Sequence, residues 1–134
     1  MDPDLELALR LELRRFVAAA GTRRALPTTC HVGHPGGQHC ALPDESLASL
    51  RADLVERAID GLVELDGACA WVTRGGELTT ADADAAWFAA AREGFGRHGL
   101  PLPAFVVMNR SAWFDLVSGE RREWRRVRAR REPG

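Results

Sequence analysis

The chain has 134 residues, 46% of them hydrophobic and 28% charged, with a formal net charge of −1. That length supports one domain with a real core, and the near-neutral balance excludes a protein that is a polycation or polyanion throughout. No apolar run is long enough to span a bilayer and no secretory leader is recognisable. The expectation is therefore a cytoplasmic protein with reduced thiols and no membrane partner.

Asp2-Pro3 is a cap residue followed by the proline favoured in a first helical turn. Leu5-Glu6-Leu7-Ala8-Leu9-Arg10-Leu11-Glu12-Leu13 then alternates like a strand, but its residues are strong helix formers. The cap, the Ala18-Ala19-Ala20 run and the stop at Gly21 decide for a helix. On that helix Leu5, Leu9, Leu13, Phe16 and Ala20 form one apolar stripe, and Leu7, Leu11 and Ala18 form a second on nearly the opposite side. A helix apolar on two sides must be covered twice. The first stripe goes to the core. The second goes to another part of the fold or to a second copy of the chain, which makes Leu7, Leu11 and Ala18 a candidate homodimer interface.

Residues 29–40 hold three of the four histidines and two of the three cysteines. Read as a loop, the segment is a candidate zinc site, although no Cys-x2-Cys or His-x3-His spacing is present. Read as two strands, it is a hairpin turning at Pro35-Gly36-Gly37-Gln38. His34 then faces His39, Gly33 faces Cys40 and Val32 faces Ala41. Cys30, Val32, His34, His39 and Ala41 share one face, and His31, Cys40 and Leu42 share the other. Cys30 and His34 stand roughly 13 Å apart on such a strand, too far for one ion. The hairpin is the better reading. What it leaves of the metal or thiol chemistry is His34 with His39, and Cys40 with the diagonal His31. A Cys30–Cys40 disulfide is not expected, because the two point to opposite faces.

A second helix is predicted from Asp44 to about Leu65, with Leu47, Leu50, Leu54, Ala58 and Leu62 at core spacing. Its carboxylates Asp53, Glu56, Asp60 and Glu64 read as solvated surface. Ala68-Cys69-Ala70-Trp71-Val72-Thr73 reads as a strand with Cys69 buried as a small hydrophobe. Gly75-Gly76 lacks the third glycine, the Lys and the following helix of a phosphate loop. Thr79 and Asp82 are read as a capping box for a third helix carrying Trp87, Phe88, Ala91 and Phe95 and ending at His98-Gly99. Ala104-Phe105-Val106-Val107-Met108 is an unbroken apolar run, the signature of a central strand covered on both faces. No serine lies in a Gly-x-Ser-x-Gly context.

Residues 112–117 and 121–129 are expected to pair as a terminal hairpin around Ser118-Gly119, with Trp113 facing Trp124 and Asp115 facing Arg122. Charge is segregated here: residues 121–134 carry seven Arg against two Glu, whereas residues 1–120 carry eleven Arg against seventeen acids. Arg122, Trp124, Arg125, Arg126 and Arg128 combine cations with an aromatic, the make-up of an anion or single-strand nucleic-acid platform. The competing explanation is an edge strand protected by charge. All 18 basic residues are Arg, a GC-rich bias that weakens any argument from Arg over Lys.

The run Trp71-Val72-Thr73-Arg74, together with Ala112-Trp113-Phe114 and residues 118–128, resembles small uncharacterised proteins of GC-rich actinobacteria, a resemblance that implies no activity. The element order α-β-β-α-β-α-β-β-β also resembles roadblock and profilin-like modules, which are dimeric protein-binding platforms; that likeness is one of fold order alone. The expected fold is a single α+β domain over residues 1–134, a mainly antiparallel sheet of five or six strands with three packed helices. The expected role is a non-enzymatic, homodimeric module that binds itself and a protein partner. No cofactor is expected on that reading; the alternatives are a nucleic-acid or anion binder at the C-terminal hairpin, and a metal- or thiol-dependent enzyme at His34, His39 and Cys40, the metal in that case being zinc.

Overall fold

The structure, a computed structural model, describes residues 1–79 and 81–125. Its backbone follows the predicted order: α1 (Pro3–Ala20), β1 (Thr29–Gly33), β2 (His39–Pro43), α2 (Ala48–Asp60), β3 (Cys69–Thr73), α3 (Asp82–Arg97), β4 (Phe105–Met108), β5 (Ala112–Asp115) and β6 (Arg121–Glu123). The six strands form one sheet in the order β2-β1-β3-β4-β5-β6. Every neighbouring pair is antiparallel except β3 and β4, which are parallel because α3 carries the chain from one to the other.

The sheet is sandwiched. Alternate residues of the central strands point to opposite faces, and the contents of two apolar clusters follow that alternation. Leu9 and Leu13 of α1 pack on Trp71, Val106, Met108 and Trp113 on one face. Ala52, Val55 and Ile59 of α2 and Trp87, Ala91 and Phe95 of α3 pack on Val32, Val72, Phe105 and Val107 on the other. No residue of β3 or β4 is exposed, as an unbroken apolar run under two layers requires. Among the described residues no helix is long and apolar enough to cross a membrane.

Helix α1 begins as its sequence indicates: the Asp2 carboxylate accepts the Leu5 N–H at 3.1 Å, and Gly21 ends the helix at φ 54°. Helix α2 departs from expectation at both ends and in its stripe. The residues it buries are Ala52, Val55, Ala58 and Ile59, while Leu47 and Leu50 are exposed. Asp44 does not cap it, because its carboxylate accepts the indole N–H of Trp87 at 2.9 Å. At the other end, residues 62–65 leave the helix and are held by the β1–β2 hairpin. The cap of α3 also moves: Asp84, not Asp82, accepts the Ala81 N–H at 3.1 Å.

Candidate functional site

The β1–β2 hairpin pairs one residue away from the expected register. Val32 stands opposite Cys40, His31 opposite Ala41 and Gly33 opposite His39. The cause is the turn. Gly37 N–H donates to His34 C=O at 2.9 Å, and His34 N–H donates to Gln38 C=O at 2.8 Å. Pro35 and Gly36, the latter at φ 75°, occupy the centre of this turn, the places a type II turn assigns to proline and glycine. Three residues therefore separate the last bonded pair, where the Gly-Gly reading counted four between its strands. A slip of one residue carries every side chain of β2 to the other face of the sheet.

The consequence is a different histidine cluster. His31 and His39 share the α1 face with Trp71: the His31 ring stacks on the indole at 5.2 Å and 8°, and His39 meets both edge-on at 5.5 and 4.9 Å. His31 Nε2 is hydrogen-bonded with Thr73 Oγ1 at 2.9 Å. Burial, and then the neighbouring His39, push His31 down to about pKa 4, so its imidazole is neutral at physiological pH. His31 Nδ1 and Trp71 Nε1 are buried without a protein hydrogen-bond partner among the described residues.

The proposed metal trio does not converge. His34 Nε2–H is taken by Glu64 C=O, to which it donates at 2.7 Å. His39 lies on the α1 face and donates from Nδ1 to Gly37 C=O at 3.1 Å, while Cys40 shares the opposite face with Val32. Among the described residues no group of three or more His, Cys, Asp or Glu is placed to hold a metal ion. The Cys40–His31 thiol pairing is overturned by the same slip, since the two now point away from each other. Cys30 and Cys40 share a face after all, yet Cys30, Cys40 and Cys69 are all free thiols.

The hairpin turn is wedged between two elements that the sequence did not connect to it. Glu12, on the buried side of α1, accepts the Gly36 N–H at 2.6 Å. Across the turn, the Gln38 amide donates to Gly61 C=O at 3.1 Å and accepts from Val63 N–H at 2.9 Å. Leu11 of α1 abuts Gly36 and is half-buried there, whereas Leu7 is 65% exposed and Ala18 is exposed. The outer stripe of α1 is thus partly covered by the fold at Leu11 and left open at Leu7 and Ala18. Val63, at 93% exposed, lies on the far side of the same turn.

Strands β5 and β6 pair with Trp113 opposite Arg122 and Ala112 opposite Glu123, two residues from the expected register. A slip of two preserves the faces, so Trp124 still meets Trp113, edge-on at 5.1 Å. Asp115 does not pair with Arg122. It is buried at the turn, where its carboxylate accepts the Phe105 and Val117 N–H groups at 3.0 and 3.1 Å and the Ser118 hydroxyl at 2.8 Å. Arg122 instead bridges to Glu6 of α1 at 2.6 Å, and Arg10 of α1 lies over the Trp124 ring at 5.6 Å. Two members of the expected anion platform are therefore engaged with α1. Arg125 is exposed, and Arg126 and Arg128 lie outside the described residues.

Comparison with protein families, with curated proteins and with solved structures finds no match for this chain. The functional reading rests on its own geometry.

Proposed function

We propose that the protein is a homodimeric interaction module that self-associates through α1. The observation carrying this reading is Leu7, a large apolar side chain 65% exposed on a helix whose other side is packed into the core. Around it the outer surface of α1 reads Asp4, Leu7, Leu11, Arg14 at spacings of three and four residues, one stripe of a helix. The order is self-complementary. Two copies set antiparallel about a two-fold axis level with Leu9 bring Leu7 of one copy against Leu11 of the other. The same operation brings the exposed Asp4 against the exposed Arg14. Apolar centre and charged rim are the anatomy of a protein interface, and Ala18 lies at its end.

Sedimentation equilibrium tests the reading. The wild-type chain is expected at twice its 14.7 kDa mass, and Leu7→Glu at the monomer mass with an unchanged circular dichroism spectrum. A wild-type monomer, or a Leu7→Glu dimer, rules this interface out.

Charge segregation favours a second reading, in which Arg125 with the arginines at 126 and 128 binds an anionic partner such as single-stranded nucleic acid. It requires binding to an oligonucleotide that weakens steeply with salt; no binding at low salt ends it.

A further inference from the structure

We infer that the groove between the C-terminal half of α3, the α3–β4 connection and the β5–β6 turn is a binding site for a small aliphatic carboxylate, a medium-chain acyl anion. The groove encloses about 490 Å³, within the range of small-molecule sites. Its walls are Phe88, Phe95, Leu100, Leu102 and Leu116, and among the described residues no Asp or Glu lines it. Among the described residues a single cation does, Arg92, whose guanidinium stands 5.6 Å from the centre of the Phe88 ring at the wall.

The two arginines of α3 make the assignment specific. Arg97 is saturated by three carboxylates, Asp53 at 3.2 Å, Glu56 at 2.7 Å and Glu93 at 2.5 Å. Arg92 has no carboxylate within ion-pair distance among the described residues. Held over an aromatic ring beside an apolar groove, its planar fork is placed to take a carboxylate in two parallel hydrogen bonds while the acyl chain lies on the leucines. A neutral ligand would leave that fork unused, and a dianion would find only one cation among the described residues. The site lies on the α2/α3 side of the sheet, across from the outer stripe of α1, so it is independent of the dimer reading.

Gly96 supplies the control. It lines the groove, and a Cβ built on it meets nothing within 4 Å. Gly96→Leu therefore adds a bulky side chain at the groove lining without a clash at its Cβ, while replacing a poor helix former with a good one. The experiment is calorimetric titration of the full chain with decanoate, octanoate and 1-decanol below their aggregation limits. Decanoate is expected to bind one to one and about tenfold more tightly than octanoate, the effect of two methylenes leaving water. Decanol is expected to bind at least tenfold more weakly than decanoate. Arg92→Gln should erase that preference, and Gly96→Leu should abolish binding of all three. No heat with decanoate, equal affinity for decanol, or full affinity in Gly96→Leu overturns the assignment.

Discussion

Arg74 and Asp84 form a two-pronged ion pair, Nε to Oδ1 at 3.0 Å and Nη2 to Oδ2 at 2.8 Å, with their side chains 9% and 2% exposed. The guanidinium also donates to the carbonyls of Gly75, Glu77 and Thr79 at 2.8, 3.0 and 3.2 Å, and so organises the turn between β3 and α3. Every hydrogen bond is internal, which is the condition under which a buried pair can be tolerated. Asp84→Ala leaves an uncompensated buried cation and is expected to cost about 3–5 kcal/mol in urea denaturation. Arg74→Met combined with Asp84→Leu should be less destabilised than Asp84→Ala alone. Strictly additive losses would show that the two groups do not act as a pair.

The stacked His31 gives the fold an acid limit. Its folded-state pKa, about 4, lies below the ordinary value near 6.5, so the unfolded chain binds the proton more readily. Its contribution is fully present above about pH 6.5 and is lost as pH falls towards 4, with a slope of at most about 1.4 kcal/mol per pH unit. Carboxylates titrate nearby, so the measurement is a difference. Urea midpoints of wild type and His31→Gln, taken at pH 7 and pH 4.5, should converge as the acid removes the advantage of the neutral imidazole. A constant gap between the two proteins would show that the His31 charge is immaterial to folding.

Helices α2 and α3 touch where α3 has no side chain. A Cβ added at Gly94 would stand 2.6 Å from Val55 Cγ1 and 3.1 Å from Val55 Cβ, and Val55 is fully buried. Gly94→Ala gains about 1 kcal/mol of helix propensity, and overpacking against a stiff β-branched neighbour costs about 1–3 kcal/mol. A net loss is expected. Val55→Ala opens the space the new methyl needs, so the double variant should be more stable than the sum of the two single losses predicts. Simple additivity in chemical denaturation would place the clash elsewhere.

The parts of this fold that were legible in the sequence are those decided locally. Asp2, Pro3 and Gly21 mark α1 because caps act within one turn. The run from Ala104 to Met108 marks a central strand because burial on both faces leaves no polar position. Illegible were the features set by distant partners. Asp44 looks like a cap, but Trp87 takes its carboxylate, and the helix starts only at Ala48. Leu62 to Leu65 continue a helical pattern, but His34 and Gln38 bind the backbone there in another conformation. The candidate site suffered most, because a turn one residue shorter than the Gly-Gly reading moved His39 to the face of His31 and Cys40 away from it. The Trp113–Trp124 contact survived a register error only because that error was two residues, a whole strand period.

The three thiols should differ sharply in reactivity. Cys30 and Cys69 are fully buried, and desolvation raises both far above the ordinary thiol range, with Asp44 acting in the same sense on Cys30 and Asp115 and Glu12 on Cys69. Cys40 is exposed on the edge strand. A chromogenic disulfide reagent is expected to find one fast thiol in the native protein and three in denaturant. Two or three fast thiols under native conditions would mean that the β1–β3 region opens.

The antiparallel α1 dimer makes a demand that a generic sticky helix does not. Asp4 of each copy is matched to Arg14 of the other, so an isologous pair contains that contact twice. Asp4→Arg then sets like charges together at both ends, as does Arg14→Asp, and either change alone should raise the dimer dissociation constant by about tenfold or more at low salt. Both changes in one chain restore the match in reversed order, and the dimer should recover. The single variants should also regain affinity as salt rises, since screening weakens rim repulsion beyond a Debye length of about 8–10 Å. If the double variant is as weak as the singles, the helices do not meet in this register. Association that persists in all three would mean that the apolar stripe acts without the charges, and the interface would have to be redrawn around Leu7 alone.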